Sequence, residues 1–215
     1  MLTFAEEIVL LALDEKEGVI TELPHQALHA AMSGAVLMEL CLLNRVDADA
    51  KQMRAVDTAP TGEPILDSVL KDLQGAHPEH TLTYWLNRMA GHHAHEILRL
   101  SLAGLVRKGV LREEKHRFLW VFPDRRYPRQ NDREFIEVRA RLRLALLGTD
   151  IPEVRDIVLI SLLNACRLIP RILADDELPR AHARIAQLSR LDLIGQALAQ
   201  SIREIEFALS LPMML

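Results

Sequence analysis

Aromatic residues are scarce in this chain, at 4% of its 215 positions, so no core can be assembled around stacked rings. The interior has to come from Leu, Ala, Ile and Val within a hydrophobic share of 49%. Such a composition favours helices over strands. Cysteine is nearly missing as well, with only Cys41 and Cys166, each inside an apolar run. Two thiols set among hydrophobes read as small buried side chains in a reducing compartment. They are too few for a thiolate metal site without help from histidine.

Positive charge is not in excess: 26 Lys and Arg face 30 Asp and Glu, a net charge of −4. A general nucleic-acid binder carries a basic balance, so nucleic acid is not the expected partner. No uncharged apolar run approaches the roughly 20 residues needed to cross a bilayer. The opening Met1-Leu2-Thr3-Phe4-Ala5-Glu6-Glu7 lacks a basic leader segment, and no lipidation signal closes the chain. These absences predict a cytoplasmic protein whose membrane contact is peripheral. Signatures of catalysis are missing too: no glycine-rich phosphate loop, nucleophile elbow, zincin helix or paired cysteine spacing occurs. No catalytic residue, cofactor or metal ligand set is expected, and the chain reads as a non-enzyme.

What is present is helical periodicity over a length that suits one domain. Thr3 and Glu6 form a capping box ahead of Phe4, Ile8, Leu11 and Ala12, with Gly18 closing the segment. A second helix is predicted from about Pro24 to Leu43, with Pro24 in its first turn. A short hairpin is expected around Val46–Ala50, a turn at Ala59-Pro60-Thr61-Gly62, and a helix over 63–73. Only a short segment is read near Tyr84-Trp85. The stretch 93–108 predicts a helix with Gly109 as a left-handed cap. A hairpin over about 110–122 follows, with Glu114-Lys115-His116 at its tip. A loop over about 123–133, dense in arginine and proline, comes next. Helices are predicted over 133–147, 152–168, 175–190 and 192–209, with Asp132 as a cap and Pro152 at a start. The expected fold is mainly α, a single-domain helical bundle with small β-hairpins.

Three constellations carry candidate chemistry. The run Gly91-His92-His93-Ala94-His95-Glu96 puts His92 and Glu96 at i,i+4 on a helix, yet a metal would need further ligands from elsewhere, and a polar helix start explains the run equally. Helix 93–108 followed by a hairpin has the outline of a helix and wing, with Arg99, Arg107 and Lys108 available to phosphate. The run Trp120-Val121-Phe122-Pro123-Asp124-Arg125-Arg126-Tyr127-Pro128-Arg129 sets aromatics beside three arginines, which suits a phospholipid headgroup layer. Trp120 and Phe122 can equally be core residues of the hairpin, with the arginines paired to Asp124, Asp132 and Glu134.

Four blocks in order resemble the Golgi phosphoprotein 3 family, in the shape of its bacterial-type members. They are Leu2 to Leu13 with Gly18, Gly34 to Leu40 with Asn44-Arg45-Val46, Ala59-Pro60-Thr61-Gly62-Glu63 with Leu66-Asp67, and Leu105 to Leu111 with Phe118-Leu119. The resemblance implies a helical bundle, peripheral membrane attachment, and a hairpin serving self-association near the membrane face. Eukaryotic members bind phosphatidylinositol 4-phosphate and act as adaptors. Their pocket uses a tryptophan and three arginines at positions that fall here on Pro24, Ser33, His95 and Leu98, and none matches. A looser anionic phospholipid surface of His95, Arg99, Arg125, Arg126 and Arg129 is expected instead. Phe118, Trp120 and Phe122 are read as the membrane or oligomer hairpin, and a homo-oligomer as the assembly. A winged-helix-like DNA-binding regulator and a protein-interaction scaffold remain as alternatives. The apolar end Leu211-Pro212-Met213-Met214-Leu215 is expected to pack on the body or on a second subunit.

Overall fold

Thr3 starts the first helix, α1 (Phe4–Ala12), in the way the capping box predicts: its Oγ1 accepts from Glu6 N at 3.2 Å, and Glu6 Oε2 accepts from Thr3 N at 2.7 Å. The computed structural model, which describes residues 1–15, 17–20, 25–48, 52–75, 80–118 and 122–190, buries all nine residues of α1. A nine-residue helix is too short to hold itself in water, so its stability comes from what surrounds it. Those surroundings are α2 (His25–Leu42), α5 (Ala94–Arg107), α6 (Arg133–Leu147) and α7 (Val154–Ala165). Pro24 lies outside the described residues.

The rest of the bundle follows from local signals. The short ribbon β1 (Val46–Ala48) with β2 (Met53–Ala55) leads to the turn before α3 (Pro64–Gln74). In that turn Thr61 donates through N at 2.6 Å and Oγ1 at 2.7 Å to Asp67 Oδ1, while Gly62 takes φ +84°. The Pro-Thr-Gly-Glu block with its trailing Asp67 is thus a clamp that aims α3. The segment read as short is a full helix, α4 (Leu82–His92). Thr81 caps it, and Leu82, Trp85, Leu86 and Met89 bury one face at i, i+3, i+4, i+7 spacing. At His93 the chain breaks between α4 and α5, so His92 and Glu96 do not share a helix.

The larger hairpin differs from its expected register. Strand β3 (Glu114–Phe118) pairs with β4 (Phe122–Arg126), Phe118 opposite Phe122, so Glu114, Lys115 and His116 lie in a strand and not at the tip. The ladder extends below through Leu111 and Arg129, with Arg112 N donating to Pro128 O and Gln130 N to Val110 O. Part of the expected arginine-rich loop is therefore strand. Polarity misleads here because a two-stranded ribbon needs no apolar face along its whole length. Gly18, at φ +63°, lies against this segment: its O accepts from Tyr127 N at 2.7 Å, and a Cβ there would meet the Pro128 backbone N at 2.3 Å.

The last described part is α6, α7, a 3-10 turn (Ile169–Arg171) and α8 (Leu178–Ser189). Pro152 sits just ahead of α7, whose cap is Glu153, and Asp132 occupies the cap position of α6 without a side-chain bond to its backbone. Asp132 is engaged by Arg129 at 2.8 Å instead. The apolar residues of all these elements join one continuous core, and among the described residues no helix is long and apolar enough to cross a membrane. The architecture is mainly α, as the composition requires. The helix expected over 192–209 and the end Leu211–Leu215 lie outside the described residues.

Buried charge organises the first helix. Glu7 Oε1 accepts from Arg141 Nη2 at 2.9 Å, and Arg141 Nε donates to Asp156 Oδ1 at 2.6 Å. Burial raises the Glu7 carboxyl above its ordinary value despite Arg155 and Arg141, and burial likewise raises Asp156 despite Arg141. Burial works to lower Arg141, but Glu7 and Asp156 more than reverse it and hold the guanidinium higher. Removing the cation strands two acids in a dry site. We expect Arg141→Met to cost about 3–5 kcal/mol in urea unfolding, on the scale of a broken buried pair. Glu7→Gln should cost clearly less, because burial already penalises the charged carboxylate there.

Glu177 behaves oppositely. Hydrogen bonds from Arg143 and from Ala174 N lower its carboxyl from 4.5 to about 2. Its stabilisation is complete above the ordinary carboxylate value and is lost as pH falls from about 4.5 toward 2. Glu177→Gln should therefore flatten the stability profile across that window. Glu7 contributes the reverse slope, its raised carboxyl costing stability as pH rises through 4.5 to its folded value.

Candidate functional site

The residues expected to bind headgroups fall into two groups. His95 and Arg99 lie on the first half of α5. His95 is exposed, and its ring stands edge-on to His29 of α2 at 5.0 Å between centroids. Arg99 is held by a fork to the neighbouring Glu96, Nε to Oε2 at 2.8 Å and Nη2 to Oε1 at 2.6 Å. Those hydrogen bonds lower Glu96 and raise Arg99. Both partners stay exposed, 61% for Arg99 and 47% for Glu96, so the pair is a surface pair of small net worth.

Arg125, Arg126 and Arg129 form the second group on and after β4. Arg125 is exposed and lies 3.5 Å from Glu113, and Arg126 reaches Glu17 at 3.2 Å. Arg129 is 14% exposed, bound to Asp132, 3.8 Å from Glu15, and stacked 4.0 Å over the Phe135 ring. That makes it a fastener between the base of the hairpin and α6 rather than an available cation. Arg99 lies nine residues before Lys108, about 13 Å along the helix, and the two groups share no ion pair among the described residues.

The positions of the resembled phosphoinositide pocket are equally telling. Ser33 is fully buried and donates through Oγ to His29 O at 2.9 Å. Leu98 packs half-buried against the core. Ser33 has no room to present a guanidinium to solvent. Of the other cations of the helix-and-wing reading, Arg107 lies 3.6 Å from Glu63 in an exposed surface pair, and Lys108 is bound to Glu6 at 2.6 Å. In the hairpin, Phe118 and Phe122 are cross-strand partners, and Trp120 lies outside the described residues.

A cavity that sequence reasoning missed opens where α1, the end of α5 and the start of α6 meet. It holds about 450 Å³ and is lined by Glu7, Lys108, Arg133, Glu134, Glu137 and Arg141, among others. Only one signal pointed to it: Glu6 and Glu7 sit inside an apolar run, where a carboxylate must find a partner.

The chain matches the family model described as Golgi phosphoprotein 3 (GPP34) over residues 4–205. It is also similar to a vacuolar protein sorting-associated protein 74 from Eremothecium gossypii, 31% identical over 143 residues. That alignment covers 57% of this chain and 43% of the relative.

The geometry separates the two arginines nearest the hairpin. Arg129→Met should lower stability by about 1–3 kcal/mol, through loss of a partly buried charged bond. Arg125→Met should stay within about 0.5 kcal/mol of the parent, as exposed pairs do. Thermal or urea unfolding of the two variants decides this.

Proposed function

Because the chain belongs to the Golgi phosphoprotein 3 family, we propose that it is a non-enzymatic peripheral membrane protein that holds anionic phospholipid headgroups on its surface and serves as an adaptor. The observation that carries this reading is the state of Arg99 and Arg125. Both are 61% exposed, and their partners Glu96 and Glu113 lie beside them at the surface. Surface pairs contribute about 0–1 kcal/mol, so a phosphate oxygen can take over the guanidinium at little cost. His95 stands on the exposed side of α5 one turn from Arg99 and adds a further donor. Arg126 joins from β4, while Arg129 supports the hairpin from behind.

The absence of a matching tryptophan and arginines at Pro24, Ser33, His95 and Leu98 argues for recognition of charge and not of one phosphoinositide. The two-stranded hairpin is the proposed self-association element. A protein-interaction scaffold without lipid binding is the second reading, favoured by the acidic partners that occupy every arginine of the two groups.

Vesicle co-flotation tests the proposal. Neutral vesicles, anionic vesicles, and vesicles with phosphatidylinositol 4-phosphate at matched charge are compared, with Glu96→Gln and Arg99→Ala variants. We expect binding to both anionic preparations without preference, weaker for Arg99→Ala and a few-fold stronger for Glu96→Gln, which frees the fork. Absence of binding to any vesicle moves the scaffold reading ahead.

A further inference from the structure

The cavity between α1, α5 and α6 carries charges that the fold does not use. Arg133 and Glu137 are spaced i,i+4 on α6, close enough to pair, and Glu134 lies between them. Yet among the described residues none of these three side chains makes an ion pair or hydrogen bond. Glu134 Oε2 is shielded from solvent and has no donor. Glu7, whose side chain is 3% exposed, lines the same cavity. Its Oε2 also lacks a hydrogen bond, although Arg155 Nη2 stands 3.5 Å away. Buried acceptors without donors are rare in folded proteins and call for an explanation.

The cations of the cavity differ in the same way. Lys108 is committed to Glu6, and Arg141 to Glu7 and Asp156. The side chain of Arg133, exposed at the start of α6, holds no partner among the described residues. Among the described residues the cavity therefore offers a guanidinium fork without a partner at one place, and carboxylates without donors beside it and on the next turn. A ligand that satisfies both ends must itself carry both charges, with N–H donors on its cationic end.

We propose that this cavity binds a small zwitterion, an amino-alcohol phosphate ester with its phosphate on Arg133 and its primary ammonium among Glu134 and Glu137. Val110 and Val138 give the short carbon linker an apolar wall. The site is separate from the surface of the preceding section: His95, Arg99, Arg125, Arg126 and Arg129 do not line it. Free phosphoethanolamine and the headgroup of phosphatidylethanolamine share the required chemistry.

Isothermal titration of the full chain with phosphoethanolamine and with phosphocholine at low salt tests the assignment. Phosphoethanolamine should bind at least about tenfold tighter, because a trimethylated nitrogen has no N–H to give a carboxylate. Arg133→Gln and Glu134→Gln should each weaken it about tenfold, the scale of one charged hydrogen bond. The unliganded variants should melt as the parent does, since neither side chain holds a partner in the fold. Flotation on phosphatidylethanolamine vesicles against phosphatidylcholine vesicles then separates the sources: selective flotation, lost in Glu134→Gln, assigns a membrane headgroup, and binding of the free ester alone assigns a soluble one. No heat with phosphoethanolamine, equal affinity for phosphocholine, or unchanged affinity in both variants overturns the proposal. The comparison of the two esters on the parent chain stands even if a variant fails to fold.

Discussion

The start of α1 carries two uncompensated demands at once: backbone N–H groups with no helical acceptor, and carboxylates inside the core. Glu39 answers part of the first, and Arg155 holds Glu39 in place. Arg155 reaches Leu2 O at 2.7 Å and Glu39 Oε1 at 3.1 Å, and it lies 4.1 Å over the Phe4 ring. Glu39, fixed in this way, accepts from Phe4 N at 2.7 Å. Glu7 and Glu6 then lock onto Arg141 and Lys108, from α6 and the end of α5. Acids at the positive end of a helix are favourable, and here the buried cations offset part of the cost that burial puts on Glu7. Every helix that touches α1 contributes an ion to this knot or packs beside one, so the position of α1 sets the positions of α5, α6 and α7.

That arrangement sorts the charges of the chain by use. Glu6, Glu7, Glu39, Asp156, Lys108, Arg141 and Arg155 are structural, and no ligand can draw on them without opening the core. Gly104 belongs with them, since a Cβ there would stand 2.3 Å from Glu6 Oε1. Arg129 is structural too, though by a cation–π stack and a short ion pair rather than by deep burial. Arg99 and Arg125 sit outside the knot in exposed pairs that a phosphate can enter. A net charge of −4 leaves no long-range attraction to an anionic surface. Any such binding is local, built from a few guanidinium groups, and screened within about 8–10 Å at physiological salt.

Much of the fold was legible because its signals are local. Thr3 with Glu6, Gly109 after α5, and the periodic apolar residues of α6 depend on neighbours a few positions away, and they place the start of α1 and both ends of α5 and α6 within a residue or two, though α1 ends at Ala12, well before Gly18. Helix α4 was harder, since Thr83, Tyr84, Trp85 and Asn87 are weak helix formers. Only the spacing of Leu82, Trp85, Leu86 and Met89 reveals it. The hairpin register was misread because its base is set by Val110 with Gln130 and by the approach of Tyr127 to Gly18, contacts that join distant segments. The site was the least legible part. Whether an arginine is free or fastened depends on Glu96, Glu113, Glu17 and Asp132, whose positions relative to the cation only the folded chain decides. Glu6 and Glu7 could be flagged as acids in an apolar helix, but not paired with residues more than a hundred positions away.

The dependence of the bundle on its first helix is open to a direct test by native-state hydrogen exchange, which reports opening free energies segment by segment. If the ion knot holds α1 in place, its amides from Ile8 to Ala12 exchange only with the slowest amides of α7, through global unfolding. Arg155→Met should then accelerate both sets together. Exchange of α1 by a separate, lower-energy opening while α7 stays protected would contradict the account, and would make α1 a passenger on a core that forms without it.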